Sequence, residues 1–317
     1  MARYARAAIA PSTRATYGHG ERRYRAFCVL CQWDPLPASD IMLASFAAYL
    51  ASSVRPGTVS GYLAAVRNLH LESGLPDPTL EAILLPRVLK GIKREHGVAP
   101  RMTRLPLTGD LVRQAIQELL RDQSVCDLDR LMFQSAILLG FYGFLRCGEF
   151  TVSDKEFDPA KDMTLDCVSV VYTEGKPILE LHVKRSKTDP FGRGMTLYIG
   201  TAVPPYCPVV AMIQYRSKRQ LPPRGPLYTL SNGTPLTRGV LTEKLRSLLL
   251  AAGVTNADQY SGHSFRIGAA TTAAAAGVPE WKIRAMGRWQ SDCVLRYIRS
   301  QPSDLAGVAS QLYSAPI

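Results

Sequence analysis

From Gly97 to Leu107 the chain carries Pro100, Pro106, Arg101 and Arg104 and shows no apolar period of either two or 3.6 residues. A stretch of this kind builds neither a helix nor a strand, so it divides the chain into a shorter N-terminal and a longer C-terminal part. At 317 residues and 46% hydrophobic, the sequence exceeds the usual domain of ~100–150 residues and can furnish a core on each side. The expected organisation is a domain at 1–96, a linker at 97–107 and a second domain at 108–317.

The N-terminal part reads as four helices. Tyr17, Tyr24, Phe27 and Leu30 give a helical face within Thr13–Cys31; Ser39-Asp40 starts a second helix to Ser52; Thr58 starts a third to Glu72; Leu80 to Arg94 is a fourth. Residues 1–104 hold fourteen Lys/Arg against seven Asp/Glu, so +7 of the total +12 lies in this third of the chain. With a pI near 9.5, that imbalance suits a polyanion, nucleic acid before membrane. Arg22, Arg23, Arg25, Arg55, Arg67, Lys90, Lys93 and Arg94 are the candidate phosphate contacts, each weighed against an ordinary solvated position. Cys28 and Cys31 form a C-x-x-C without a second pair or a nearby His, which reads as helix packing and not as a metal site. Seven scattered Cys make no disulfide framework and suit a reducing compartment. The longest apolar run, Leu131 to Leu145, is interrupted by Gln134 and Ser135 and falls short of the ~20 residues of a membrane span.

After the linker, Thr108-Gly109-Asp110 starts a helix and Asp127 to Leu145 forms the most hydrophobic one, ending in Arg146-Cys147-Gly148-Glu149. Val168–Tyr172, Ile178–Lys184 and Met195–Ile199 read as strands, with Leu179, Leu181 and Val183 alternating against Glu180, His182 and Lys184. Val209 to Arg219 and Leu236 to Ala252 return to helix, the latter with Thr237 as a possible cap. The expected fold is mainly α with a small antiparallel sheet.

Gly262 to Arg299 gathers the chemistry. A helix should start near His263, which puts His263 and Arg266 three apart on its first turn, where free N–H groups and the positive end of the dipole favour an anion. Short helices over Trp281–Met286 and Ser291–Arg299 would fold back and bring Trp289 and Tyr297 to that phosphate. A cationic, partly desolvated site favours tyrosinate over phenol, making Tyr297 a plausible nucleophile.

These residues resemble the tyrosine recombinases of the phage-integrase superfamily. The H-x-x-R box stands as His263-Ser264-Phe265-Arg266, the next His/Trp position as Trp289, and the nucleophile as Tyr297. Tyr297 follows Trp289 by eight positions, where many bacterial and phage members have nine. Gly-Phe-Leu-Arg-x-x-Glu, ending at Arg146 and Glu149, resembles the family's first Arg box. HSFRIGAAT, SKTDPFGRG and GRWQSDCVLRYIR are similar in phrasing to recombinases carried by eukaryotic mobile elements.

The resemblance implies an N-terminal helical core-binding domain and an integrase-like α+β catalytic domain that close round duplex DNA. It implies cleavage and rejoining through a 3′-phosphotyrosine, without metal, nucleotide or other cofactor. Arg146 and Arg266 would hold the scissile phosphate, Glu149 would help hold that region in shape, Trp289 would pack and donate its indole N–H, and His263 would manage the tyrosine proton or donate to the phosphate. A Lys on the β-hairpin would act as general acid; Lys187 is the first choice and Lys184 the second. The implied partners are double-stranded DNA and copies of the same chain, as a dimer per site and a tetrameric synapse, with a tail helix at Ser303–Tyr313 docking on a neighbour. The protein would act wherever its DNA is, the nucleus in a eukaryote and otherwise the cytoplasm or nucleoid. A type IB topoisomerase and a DNA-binding descendant without chemistry stay open as alternatives.

Overall fold

The computed structural model of the protein describes residues 4, 8–97, 104–152, 156–186, 189, 191–220, 222–289, 294 and 298. The chain divides into two compact units, Met1–Met102 and Thr103–Ile317. Among the described residues the architecture is mostly helical with one three-stranded antiparallel sheet.

The first unit contains α1 (Pro11–Leu30), α2 (Asp40–Ala51), α3 (Pro56–Glu72) and α4 (Leu84–Glu95). Proline opens α1 and α3, where its missing N–H costs nothing. Tyr24, Phe27, Leu43, Phe46, Val66 and Ile92 form the centre of its core, and Cys28 is buried among them as a small apolar residue. The carboxylate of Asp40 accepts N–H bonds from Ile83, Leu84 and Leu85 at 2.8, 2.6 and 2.9 Å, so the start of α2 caps the start of α4. Those amides, Leu84's above all, hold the Asp40 carboxyl below the usual range. This cap corrects the expected helix start: α4 begins at Leu84 and not at Leu80, and Leu80 and Ile83 stand exposed before it. His70 is buried in α3; its Nε2 accepts from the Ala38 N–H at 2.8 Å, which leaves Nδ1 to donate to the Val66 carbonyl at 2.8 Å.

The second unit is built round α6 (Asp127–Tyr142), in which every side chain from Met132 to Phe141 is buried. α5 (Gly109–Arg121), α8 (Pro208–Lys218) and α10 (Ser264–Ala275) pack against it, and α9 (Arg238–Ala251) packs on α5. Thr237 caps α9 by accepting from the Val240 N–H at 3.3 Å. β1 (Val168–Thr173), β2 (Lys176–Val183) and β3 (Met195–Ile199) lie in chain order, with Val168 opposite Leu181 and Leu181 opposite Leu197. Leu179, Leu181, Val183, Leu197 and Ile199 turn into the core, while Tyr198 stays on the open face, its hydroxyl donating to Glu180 at 3.2 Å. The remaining described α-helices are the short α7 (Cys147–Phe150) and α11 (Glu280–Gly287). None of the described helices is long and apolar enough to cross a membrane.

α6 stops at Tyr142, three residues short of the expected Leu145. The chain turns there because Phe144 takes a left-handed conformation, φ 50°, and the Leu145 N–H reaches back to the Gly140 carbonyl at 3.0 Å. A second close approach fixes α10. Gly268 lies under the extended segment that leads into α5, where the Leu107 N–H donates to the Ser264 carbonyl at 3.0 Å and a Cβ on Gly268 would run into the Leu107 backbone. The predicted helices at Ser291–Arg299 and Ser303–Tyr313 lie outside the described residues, as does most of the 97–107 stretch.

Candidate active site

The turn after α6 sets up the first half of the site. Left-handed backbone at Phe144 points its carbonyl inward, and Arg146 then becomes the cap of α7. Glu149, at the third position of α7, reaches back so that its Oε2 accepts the Arg146 N–H at 2.9 Å and its Oε1 accepts Arg146 Nη1 at 2.9 Å. The pair is largely enclosed, with side-chain exposure of 15% for Arg146 and 4% for Glu149. Arg-x-x-Glu therefore has a local folding task as well as a charge. Cys147 beneath it is buried, which pushes its thiol up to about 12 and makes it a poor nucleophile.

The second half comes from α10. Ser264 anchors its start, the side-chain oxygen accepting the Ser261 N–H at 2.9 Å, and Gly262 lets this turn press on Cys147, since a Cβ there would collide with the cysteine. His263 occupies the cap position and is exposed, whereas Arg266 is wholly buried at 0%. The two residues do not share an environment. Arg266 Nη1 donates to the Phe144 carbonyl at 3.2 Å, Nη2 donates to the Gly287 carbonyl, and the guanidinium carbon stands 4.5 Å from the centre of the Trp289 ring.

Gly287, Arg288 and Trp289 close the cluster, each for a different reason. Gly287 has no side chain where the six-membered ring of Trp289 lies. Arg288 turns the chain in the left-handed region, φ 57°, and its Nη2 meets Glu149 Oε2 at 2.5 Å and the Phe144 carbonyl at 3.4 Å. Trp289 is buried, edge-on to Phe144 at a ring separation of 6.5 Å. Three arginines thus converge on one carboxylate and two main-chain carbonyls. Burial lowers the pKa of Arg288 below the ordinary arginine value and Arg146 adds to that, while Glu149 opposes both.

Lys184, the second choice for a catalytic lysine, is spent elsewhere. Its ammonium donates to the Pro159 carbonyl, the Asp162 carbonyl and Thr164 Oγ1 at 2.7, 3.2 and 2.7 Å, which occupies all three N–H bonds in holding a loop. Lys187 and Tyr297 lie outside the described residues. On either side of Tyr297, Val294 is buried and Ile298 packs on the core, its N–H donating to the Val294 carbonyl at 3.3 Å.

In the first unit, Arg22, Arg25, Arg55, Arg67, Lys90, Lys93 and Arg94 are exposed and Arg23 is half-buried. Arg25 pairs with Glu21 at 2.9 Å, Arg23 donates to Ser53 at 2.9 Å, and Arg67 pairs with Asp77. On α4 the sequence reading passed over Arg87. It lies three before Lys90 and seven before Arg94, and the three form a basic stripe opposite the apolar stripe of Leu85, Val88, Leu89 and Ile92. The helical period alone would have found it. Arg288 and the Phe144 carbonyl were also missed; the nine-residue spacing from Arg288 to Tyr297 was a signal for the first, and no local signal points to the second.

No family model matches the chain. A curated relative, an integrase/recombinase XerD homolog from Selenomonas ruminantium, is 26% identical over 287 residues, spanning 84% of this chain and 76% of the relative. A XerH site-specific recombinase bound to its difH substrate matches with a TM-score of 0.60 at 12% identity, over 93% of this chain and 78% of that one. A lambda integrase dimer bound to a core site matches with a TM-score of 0.58 at 15% identity, over 95% and 94%. The Tn1549 transposon integrase with circular-intermediate DNA gives 0.54 at 13% identity, over 95% and 94%. The fold is that of these enzymes.

Proposed function

We propose that this chain, with the fold of tyrosine recombinases, is a site-specific DNA recombinase that cuts and rejoins strands through a 3′-phosphotyrosine at Tyr297. The observation that carries this reading is the convergence of Arg146 and Arg266, from elements 120 residues apart, on one buried cluster with Glu149 and Trp289. Double-stranded DNA is the partner. The first unit serves as the core-binding domain, and copies of the chain assemble on the site. The phrasing of HSFRIGAAT and GRWQSDCVLRYIR supports an origin in a eukaryotic mobile element, with action in the nucleus.

In the proposed reaction the Tyr297 oxygen attacks phosphorus as its proton passes to His263. The P–O5′ bond breaks, and Lys187 delivers a proton to the leaving 5′-oxygen. The phosphodiester energy is kept in the phosphotyrosine for attack by another 5′-hydroxyl. Arg146 and Arg266 act on the non-bridging oxygens, where the planar guanidinium offers paired donors that Lys cannot copy. Loss of one such donor costs on the order of 10²–10³ in rate. Arg266 is wholly buried and donates to the Phe144 and Gly287 carbonyls, so a phosphate oxygen has to reach it inside the cluster. That burial is also what supports the alternative of a DNA-binding descendant without chemistry.

Covalent trapping separates the two. The protein is incubated with nicked suicide duplexes from a randomised pool and denatured in detergent. A protein–DNA adduct that disappears in Tyr297→Phe, with DNA binding kept, is the expected result. Salt-sensitive binding without any adduct, from an adequately sampled pool, would overturn the enzymatic reading.

A further inference from the structure

We infer that Arg288 is a third phosphate-binding guanidinium of the cluster, donating to the bound phosphodiester through Nε and Nη1 while Nη2 remains on Glu149. This rests on the reading of the cluster as a phosphodiester site. It assigns to Arg288 the hydrogen-bonding role that the sequence pattern gave to Trp289.

Three observations converge. The first is donor satisfaction. Arg288 is 7% exposed, and its Nε and Nη1 are buried without a hydrogen-bond partner among the described residues, while Nη2 serves both Glu149 and the Phe144 carbonyl. Buried donors in a folded protein are satisfied by protein, water or ligand, and among the described residues these two have no acceptor. The second is charge. Arg146, Arg266 and Arg288 set three positive charges against the one negative charge of Glu149, with Arg266 and Arg288 sharing the Phe144 carbonyl. Buried like charges repel and are costly unless compensated, and an anion held among them supplies the compensation.

The third is backbone. Arg288 sits at φ 57°, a conformation that favours glycine, although the turn already has Gly287 beside it. A bulky residue kept in this region marks a side chain whose direction matters. The left-handed turn is what sends the Arg288 side chain back to Glu149, and it leaves the next residue, Trp289, stacked on Arg266. Arg288 also stands nine positions before Tyr297, where Trp289 stands eight before it. Trp289 is then the packing platform of the site and Arg288 its donor.

The direct test is orthovanadate, a tetrahedral phosphate analogue, titrated calorimetrically into the full chain. Wild type should bind it saturably, and Arg288→Met should bind it weaker by on the order of tenfold or more. Arg288→Lys keeps the charge and loses the fork, so it should fall between the two. It also serves if the Met variant fails to fold, which thermal melting will show. Affinity in Arg288→Met, or failing that in Arg288→Lys, equal to wild type would overturn the assignment, as would the absence of saturable binding to wild type. On trapped suicide duplexes, Arg288→Met should slow cleavage by about 10²–10³ with duplex affinity little changed. A melting-temperature loss with unaltered orthovanadate affinity would mark a purely structural arginine. No adduct from wild type, with orthovanadate binding intact and lost in Arg288→Met, would refute the recombinase reading and leave the anion site standing.

Discussion

On α4, Arg87, Lys90 and Arg94 stand in solvent opposite Leu85, Val88, Leu89 and Ile92, whereas Arg266 and Arg288 are buried among main-chain carbonyls and one carboxylate. The α4 stripe is a surface property. Its helix is held by the apolar face and by the Asp40 cap, so these charges can be changed without disturbing the fold, and each acts separately under the screening of salt. In the cluster the guanidiniums belong to the packing. Phe144, Gly287, Glu149 and Trp289 hold them, and removing one leaves its partners exposed to the same loss. One basic surplus therefore has two uses, an additive and screened one on α4 and a cooperative one in the second unit.

The largest effect should come from breaking the cooperative side. Arg266→Ala removes two bonds to carbonyls and the stack on Trp289, and is expected to lower strand cleavage by ~10²–10³ together with melting temperature. Trp289→Ala should cost less cleavage than Arg266→Ala in the same trapping assay. The reverse order would show that the indole and not the guanidinium carries the phosphate.

Glycines sharpen the comparison next. Gly268→Ala drives a methyl into the Leu107 backbone, which cannot move aside as a side chain tip would, and should destabilise the second unit by about 1–3 kcal/mol in urea unfolding. Gly91→Ala on the exposed side of α4 meets nothing within 4 Å and should stabilise the first unit by about 0.5–1 kcal/mol. Equal signs for the two would mean that α4 is more enclosed than its surface indicates.

The smallest effects belong to the stripe. Arg87→Gln, Lys90→Gln and Arg94→Gln should leave melting unchanged and each reduce the slope of log affinity against log salt by about 0.9 where a phosphate contact is lost. An unchanged slope in the triple variant would assign the stripe to solvent.

Much of the fold was legible in the sequence because helical and strand periods are local. β3 was read to the residue, and Thr237 was read as the cap of α9. The ends that failed did so where a distant group or an unusual backbone decided them. Asp40 fixed the start of α4 from 43 residues away, and a left-handed Phe144 ended α6, a conformation that nothing in the phenylalanine side chain announces. At the site, Arg146 and Glu149 were readable because their link spans one turn. The different burial of His263 and Arg266 was not readable, since His263 is the exposed cap of α10 and Arg266 is packed in the core.

The sequence by itself determined the helical class with its small sheet, the concentration of positive charge, and the residue types offered for phosphodiester chemistry. These depend on composition and on periods shorter than about ten residues. Only the tertiary structure decided that Arg288 joins Arg146 and Arg266, that Lys184 is tied to a loop, and that Arg266 rests on carbonyls. Those outcomes depend on which backbone groups are brought within about 3 Å of a side chain, and that distance is set by packing between segments far apart in the chain.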